Sequence, residues 1–244
     1  KRAEILIPSL IKKLDIEVVS THGRPFEIKW IGRRWQEETT LSDIELDFKS
    51  GNLIGISLKS TRQGRGTQKN IGYSKLNQLL GVDLDRELSE MWSRIREDLG
   101  KKGGELSKIA QKSRKEIKDA KYKFPAIQEI GKEHGFPIQK LAVDQSVILF
   151  NGLPRKRKLI FLEEIFGIGA ARQLLNALVE GEIPKLCWNE TAQGLIKGDL
   201  FAQKLKDKSY YITANGKPLV RLQASFTNGI GLSAFCERVF LLTD

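Results

Sequence analysis

Apolar residues near the start of the chain recur at helical spacing. Ile5, Leu6, Leu10 and Ile11 predict a short helix over 3–13, started or interrupted near Pro8. The pattern then changes to strands. FEIKWIG (26–32), SDIELDFK (42–49) and LIGISLKS (53–60) have strand length and β-branched or aromatic content, which predicts a three-strand meander. TRQGRGTQKN follows, polar, basic and glycine-rich, and IGYSKLNQLLGVD predicts a helix. Leu84, Leu88, Met91, Trp92, Ile95 and Leu99 share one helical face, so 83–99 reads as an amphipathic helix ended by Gly100. The segment 101–125 is strongly basic with a thin apolar face and predicts a long exposed helix. LAVDQSVILF (141–150) reads as a buried strand, and PRKRK (154–158) as a basic loop before the helix FLEEIF. Asn215-Gly216 predicts a two-residue hairpin of type I′.

The second and third strands carry an unusual charge pattern. Side chains alternate along a strand, so Asp43, Glu45 and Asp47 fall on one face and Ile44, Leu46 and Phe48 on the other. On the return strand Ile54, Ile56 and Leu58 are apolar, which leaves Gly55, Ser57 and Lys59 on the charged side. For the apolar faces to coincide, opposed residues must have numbers of equal parity. A three-residue loop, Ser50-Gly51-Asn52, satisfies that condition and pairs Lys49 with Leu53, Asp43 with Lys59 and Glu45 with Ser57. Carboxylates beside a lysine suit metal-assisted phosphodiester hydrolysis: acids fix the ion, and lysine positions water or stabilises developing charge. A cross-strand salt pair on a surface hairpin is the plainer reading.

Composition narrows the choice. The formal net charge of +11 favours a polyanionic partner, with nucleic acid first. Cys187 and Cys236 are the only cysteines and His22 and His134 the only histidines, so zinc sites and disulfide frameworks are disfavoured and oxygen ligands for Mg²⁺ or Mn²⁺ are expected. No apolar run approaches membrane-spanning length and the first residues do not read as a secretory signal, so a cytoplasmic protein without membrane contact is expected.

Ser42-Asp43-Ile44, about eleven further residues, and Ile56-Ser57-Leu58-Lys59-Ser60 resemble the PD-(D/E)XK nuclease superfamily, and within it the type II restriction endonucleases. The resemblance spans roughly 25–80. It implies an α/β fold with a restriction-endonuclease-like mixed β-sheet core flanked by helices. It also implies that Asp43, starting the second core strand, binds the metal, and that Lys59, ending the third, is the catalytic lysine. Two positions depart from the pattern: no proline precedes Asp43, and Ser57 stands where an acid is expected. The missing carboxylate must come from elsewhere. Glu45 is the first candidate, with Glu4, Glu37 and Glu38 as others.

These readings lead to a single domain over 1–244, with a catalytic core at about 1–82 and DNA-recognition or dimerisation elements at about 83–244. The expected activity is Mg²⁺-dependent, sequence-specific cleavage of double-stranded DNA by a homodimer, Mn²⁺ serving as substitute. Asp43 and Glu45 would hold the metal, Lys59 would serve the attacking water, and Ser57 would add a polar contact. Arg62, Gln63, Arg65 and Lys69, following Lys59 directly, would contact DNA. A structure-specific nuclease and a DNA-binding protein without catalysis are the alternatives. Gly167-Ile168-Gly169 reads as a structural turn, His134 as a loop residue, and Ser225, Thr227 and Asn228 as turn chemistry.

Overall fold

In the computed structural model the expected first helix is α1 (Arg2–Lys13), which runs on through a π-helical segment (Leu14–Val19) into α2 (Ser20–His22). There follow β1 (Glu27–Trp30), β2 (Ile44–Asp47), β3 (Leu53–Thr61), β4 (Lys69–Gly72), α3 (Tyr73–Leu80), α4 (Asp85–Lys101), α5 (Gly104–Ala110), α6 (Arg114–Ala120), α7 (Pro125–Gly152) and α8 (Arg155–Phe166). The remaining strands are β5 (Gln173–Glu180), β6 (Ile183–Trp188), β7 (Leu200–Lys206), β8 (Ser209–Ala214), β9 (Lys217–Phe226) and β10 (Phe235–Leu241). The structure describes residues 2–30, 43–61, 69–166, 173–180, 183–188 and 198–241. The chain is α/β in class. It forms two units, one from 1–69, 158–199 and 240–244, the other from 70–157 and 200–239.

The first unit contains the expected meander. Its sheet has the order β1-β2-β3-β5-β6, with β3 and β5 parallel and the other neighbours antiparallel, so it is mixed. The unit reaches beyond residue 82 in sequence, since its last two strands come from 173–188. Leu6 of α1 and Val18 of the π segment are buried against Leu46, Phe48, Ile54 and Ile56, with Leu10 and Leu14 completing the contact. This is the apolar face that strand alternation marks out, and the amphipathic helix covers it.

The second unit has a sheet of order β4-β10-β9-β8-β7. Asn215 and Gly216 both take positive φ between β8 and β9, the type I′ geometry expected of that pair. Helix α7 lies against β7, β8 and β9, and α4 packs on α7 through a stripe of Met91, Trp92, Ile95 and Leu99. The expected strand at 141–150 is instead the second half of α7. Ile138, Ala142, Val143, Ser146 and Phe150 are buried at helical intervals, a period that a short apolar run does not reveal. His134 is likewise helical, because Gly135 does not punctuate here. A Cβ on Gly131 or Gly135 would stand within 2.7 Å of the Ile230–Leu232 turn, so both glycines admit that turn against the helix. The long helix expected over 101–125 is split into α5 and α6, with Gly103 and Gly104 at positive φ and a Ser113–Glu116 capping box opening α6. The basic run at 154–158 is not a loop but opens α8 after Pro154. Among the described residues no helix is long and apolar enough to cross a membrane.

A buried acid ties this unit together. Glu237 on β10 is fully buried and accepts hydrogen bonds from Tyr210 Oη at 2.8 Å and Ser146 Oγ at 3.0 Å. Burial pushes its carboxyl up to about 7, partly opposed by those two donors, and pushes the Tyr210 phenol up as well. In an unfolded chain the acid would titrate near ~4.3. The folded state therefore favours the protonated form. The stability this contributes is complete below the unfolded value and is lost as pH rises through about 7. Glu237→Gln, measured by urea denaturation, should flatten the pH dependence. It should exceed the wild type by on the order of 3 kcal/mol at about pH 8. Equal pH dependence in both proteins would contradict this account.

Candidate active site

The charged face of the meander is organised by the turn between β2 and β3. Phe48 N–H donates to the Asn52 carbonyl at 3.0 Å and Gly51 N–H donates to the Phe48 carbonyl at 2.8 Å. Gly51 lies at φ +77°. These bonds define a three-residue Lys49-Ser50-Gly51 loop, in which the last position must be left-handed. The length agrees with expectation, but the loop begins one residue earlier than Ser50-Gly51-Asn52. Glycine enters the left-handed region without the Cβ penalty that asparagine would incur there. Asn52 Nδ2 is left 3.2 Å from His22 Nδ1, and the His22 ring lies 5.6 Å from that of Phe48, joining the end of α2 to the hairpin.

Moving the loop by one residue moves every cross-strand pair by two. Ile44 faces Ile56, Glu45 faces Gly55, Leu46 faces Ile54 and Asp47 faces Leu53. The expected pairings of Asp43 with Lys59 and of Glu45 with Ser57 are therefore corrected. Parity is preserved, so the apolar faces still coincide. Asp43 N–H donates to the Ile56 carbonyl at 2.8 Å, although Ile56 is the register partner of Ile44. Two residues thus oppose one, as in a β-bulge, a device that re-aims a side chain at a strand end. The re-aimed Asp43 Oδ2 accepts the Leu58 N–H at 2.6 Å. The acid is thereby fixed to the segment holding Ser57 and Lys59.

Ser57 is fully buried, and its Oγ has no hydrogen-bond partner among the described residues. A buried hydroxyl without a partner costs free energy. The backbone of β3 carries Lys59 on to pair with Leu178 of β5, and Ser57 pairs with Asn176. The side chain of Lys59 lies outside the described residues. So do Arg62, Gln63 and Arg65, the glycine turn at 167–169, Glu37 and Glu38, and the side chains of Glu4 and Lys69. Glu45 stands two residues from Asp43, across the bulge. It faces the turn side of Ser57 instead of Ser57 itself.

One cation of this face escapes a reading of the sequence that starts from Asp43. Lys29 of β1 pairs with Glu45 in register, and its Nζ lies 3.1 Å from Glu27 and 3.7 Å from Asp47. The hydrogen bond and charge of Glu27 raise the Lys29 pKa above its ordinary value, Asp47 adding to the effect. The alternation of FEIKW, with Glu27 and Lys29 on one side, is the signal that could have revealed it. The second unit holds another pair: His134 Nε2 lies 2.7 Å from Asp98 Oδ2, and this hydrogen bond is the first cause of a lowered Asp98 pKa. It links α4 to α7.

Among the described residues, no three or more His, Cys, Asp or Glu side chains gather into a metal-binding group. The side-chain donors on this stretch are oxygens: the Asp43 carboxylate, which accepts from the Leu58 amide, and the hydroxyl of Ser57, the residue before it in sequence. Hard oxygen donors in small number fit Mg²⁺, which retains several waters and takes one or two carboxylates from protein. No protein-family model and no curated protein matches the chain.

The register is open to direct test. Cysteines at 45 and 55 sit opposite each other, so Glu45→Cys with Gly55→Cys should form a disulfide readily on mild oxidation. Glu45→Cys with Ser57→Cys should not. Preferential closure of the second pair, read by mass spectrometry under non-reducing conditions, would restore the alternative loop.

Proposed function

We propose that the chain is a Mg²⁺-dependent endonuclease acting on double-stranded DNA. The observation that carries this reading is the bond from Leu58 N–H to Asp43 Oδ2 at 2.6 Å. It joins the acid at the head of β2 to the Ser57-Leu58-Lys59 stretch of β3, although the two segments are separated by a hairpin. The resemblance to PD-(D/E)XK nucleases requires that neighbourhood: an aspartate starting the second core strand and a lysine near the end of the third. The mixed five-stranded sheet and the helix covering it are compatible with a restriction-endonuclease-like core. A net charge of +11 supports a polyanionic substrate.

In this reading Asp43 holds the metal, with Glu45 as the second acid along the same strand. Mg²⁺, when bound, supplies polarisation of the scissile phosphate. The Leu58 amide keeps the Asp43 carboxylate oriented and partly neutralised, so that it need not reorganise when substrate arrives. Lys59 positions the attacking water or stabilises charge on the phosphate, and the Ser57 hydroxyl gives a further polar contact. Arg62, Gln63, Arg65 and Lys69 contact the DNA, mainly through phosphates. Sequence-specific cutting by a cytoplasmic homodimer at palindromic sites is the form of the activity proposed, since two-fold sites match two-fold enzymes. Ser57 in place of an acid favours one second reading, a protein of this fold that binds DNA and does not cut it.

Plasmid DNA incubated with the protein in Mg²⁺, Mn²⁺ or EDTA separates the two. Discrete fragments that require metal support the nuclease. Intact DNA in both metals, with a salt-sensitive mobility shift, selects the binding protein. Lys59→Ala should lower cleavage by orders of magnitude, at least ~10²-fold, with little change in DNA affinity measured in Ca²⁺. Equal loss of both would make Lys59 a grip on DNA. Glu45→Ala should raise the Mg²⁺ concentration required for half-maximal cleavage, and unchanged metal dependence would remove Glu45 from the site.

A further inference from the structure

Strand β1 exposes Phe26 (57%), Ile28 (66%) and Trp30 (68%), three large apolar side chains at alternate positions at or beside one short strand. Among the described strands it forms the edge of its sheet, next to β2 alone. Natural sheets blunt such edges, because unpaired backbone groups beside apolar side chains invite another strand. The direction of those groups follows from the register. Phe48 and Asn52 are bonded to each other across the hairpin, so Ile44 and Leu46 exchange backbone bonds with β3. Glu45 and Asp47 then face Lys29 and Glu27 of β1, and Phe26 N–H also donates to the Asp47 carbonyl at 2.9 Å, so Phe26 stands in a bulge at the head of the strand. Ile28 and Trp30 are left pointing their N–H and C=O groups away from the sheet.

The side chains of this edge form a chemical palindrome: aromatic, acid, Ile, base, aromatic, from Phe26 to Trp30. We propose that β1 is the surface through which two copies of this chain associate, pairing antiparallel about a two-fold axis at Ile28. In that register Ile28 exchanges both backbone bonds with the partner's Ile28, and Trp30 N–H reaches the carbonyl of the partner's Phe26. Glu27 faces the partner's Lys29, and Lys29 faces the partner's Glu27. Other registers are worse. A slip of two residues sets Glu27 against Glu27 or Lys29 against Lys29, and a slip of one puts charged and apolar faces together. Charge complementarity therefore selects both the partner, a second copy, and the register.

Size sets the expected strength. A large aromatic side chain carries roughly 150–250 Å², so at these exposures the three residues offer on the order of 300–400 Å² per copy. That is about half of what each partner gives to a standard stable complex. The dimer should accordingly be concentration-dependent, with a dissociation constant in the micromolar range. The inference deepens the homodimer of the proposed function by naming its surface, and it rests on the strand's own chemistry instead of on DNA cleavage.

Sedimentation velocity of the full chain across roughly 1–100 μM should show monomer passing into dimer. Lys29→Glu sets acid against acid twice and should raise the dissociation constant at least about ten-fold. The swap Glu27→Lys with Lys29→Glu restores opposite charges and should bring it back near the wild-type value. Glu27→Lys mixed with Lys29→Glu should give heterodimers in preference to either homodimer. These residues are exposed, so circular dichroism should be unchanged. A wild type that stays monomeric, a Lys29→Glu variant that dimerises as well as wild type, or a swap that fails to restore association would each overturn the proposal. Metal-dependent cleavage by a monomer would overturn the interface alone, whereas a charge-dependent dimer inert towards DNA would overturn the nuclease alone.

Discussion

A three-residue hairpin loop needs a left-handed residue at its last position, and in the β2–β3 turn Gly51 supplies it. From that constraint the charged face of the first sheet follows. With Gly51 last, Phe48 closes the loop and turns inward, where it is buried with Leu46, Ile54 and Ile56 under α1 and the π segment. The same choice sets Glu45 beside Gly55 and brings the head of β2 level with Ser57 and Leu58. The bulge at Asp43 then aims its carboxylate at the Leu58 amide. A loop closed one residue later would keep the same apolar core but would change the neighbours of every acid. Packing alone therefore does not determine this site.

The second unit is held by different means. Helix α7 is the element on which its other parts converge, and much of the contact is polar. Gln139 Nε2 donates to the Ala224 carbonyl, and Ser146 reaches Glu237. Asn151 accepts from Ala202 N–H at 2.7 Å and donates to the Ala202 carbonyl at 2.9 Å, acting as a short substitute strand on the edge of β7. Lys121, almost wholly buried, donates to the Asn228 carbonyl and so ties the turn at 227–232 to the end of α6. Each such bond satisfies a buried group whose loss would be costly, which specifies the placement of α7 more narrowly than apolar contact could.

What could be read in the sequence follows from the range of the interactions involved. The meander, α1, α4 and the Asn215-Gly216 turn are set by local periodicity and turn chemistry, and all were legible. The helix over 141–150 was not, because Val143, Val147, Ile148 and Phe150 suggest a strand until the buried positions are known. Gly135 and Pro137 look like the end of an element, yet the glycine serves a turn nearly a hundred positions away. In the candidate site the residue types and the three-residue loop were legible, and the register was off by two positions. Sequence offered two residues able to be left-handed, Gly51 and Asn52, and only the closed hairpin distinguishes them. Glu237 stands in the sequence as an acid between the apolar residues of FCERVF, and alternation alone does not say which face of β10 is buried.

The parallel partner of β3 is β5, and the entire second unit apart from its last strands lies between them in sequence. During synthesis, roughly 110 residues must emerge after β3 before β5 can reach it, about ten seconds at ordinary translation rates. Through that interval α1 and the hairpin can already meet, since their contacts are local, but the far side of β3 has no neighbour. Closing so long a loop is slow and entropically opposed. The Ser57 and Lys59 positions of β3 therefore gain their second neighbour late, after most of the helices have been made. The order of the chain itself thus leaves one side of β3 open through most of synthesis and closes it only when β5 arrives.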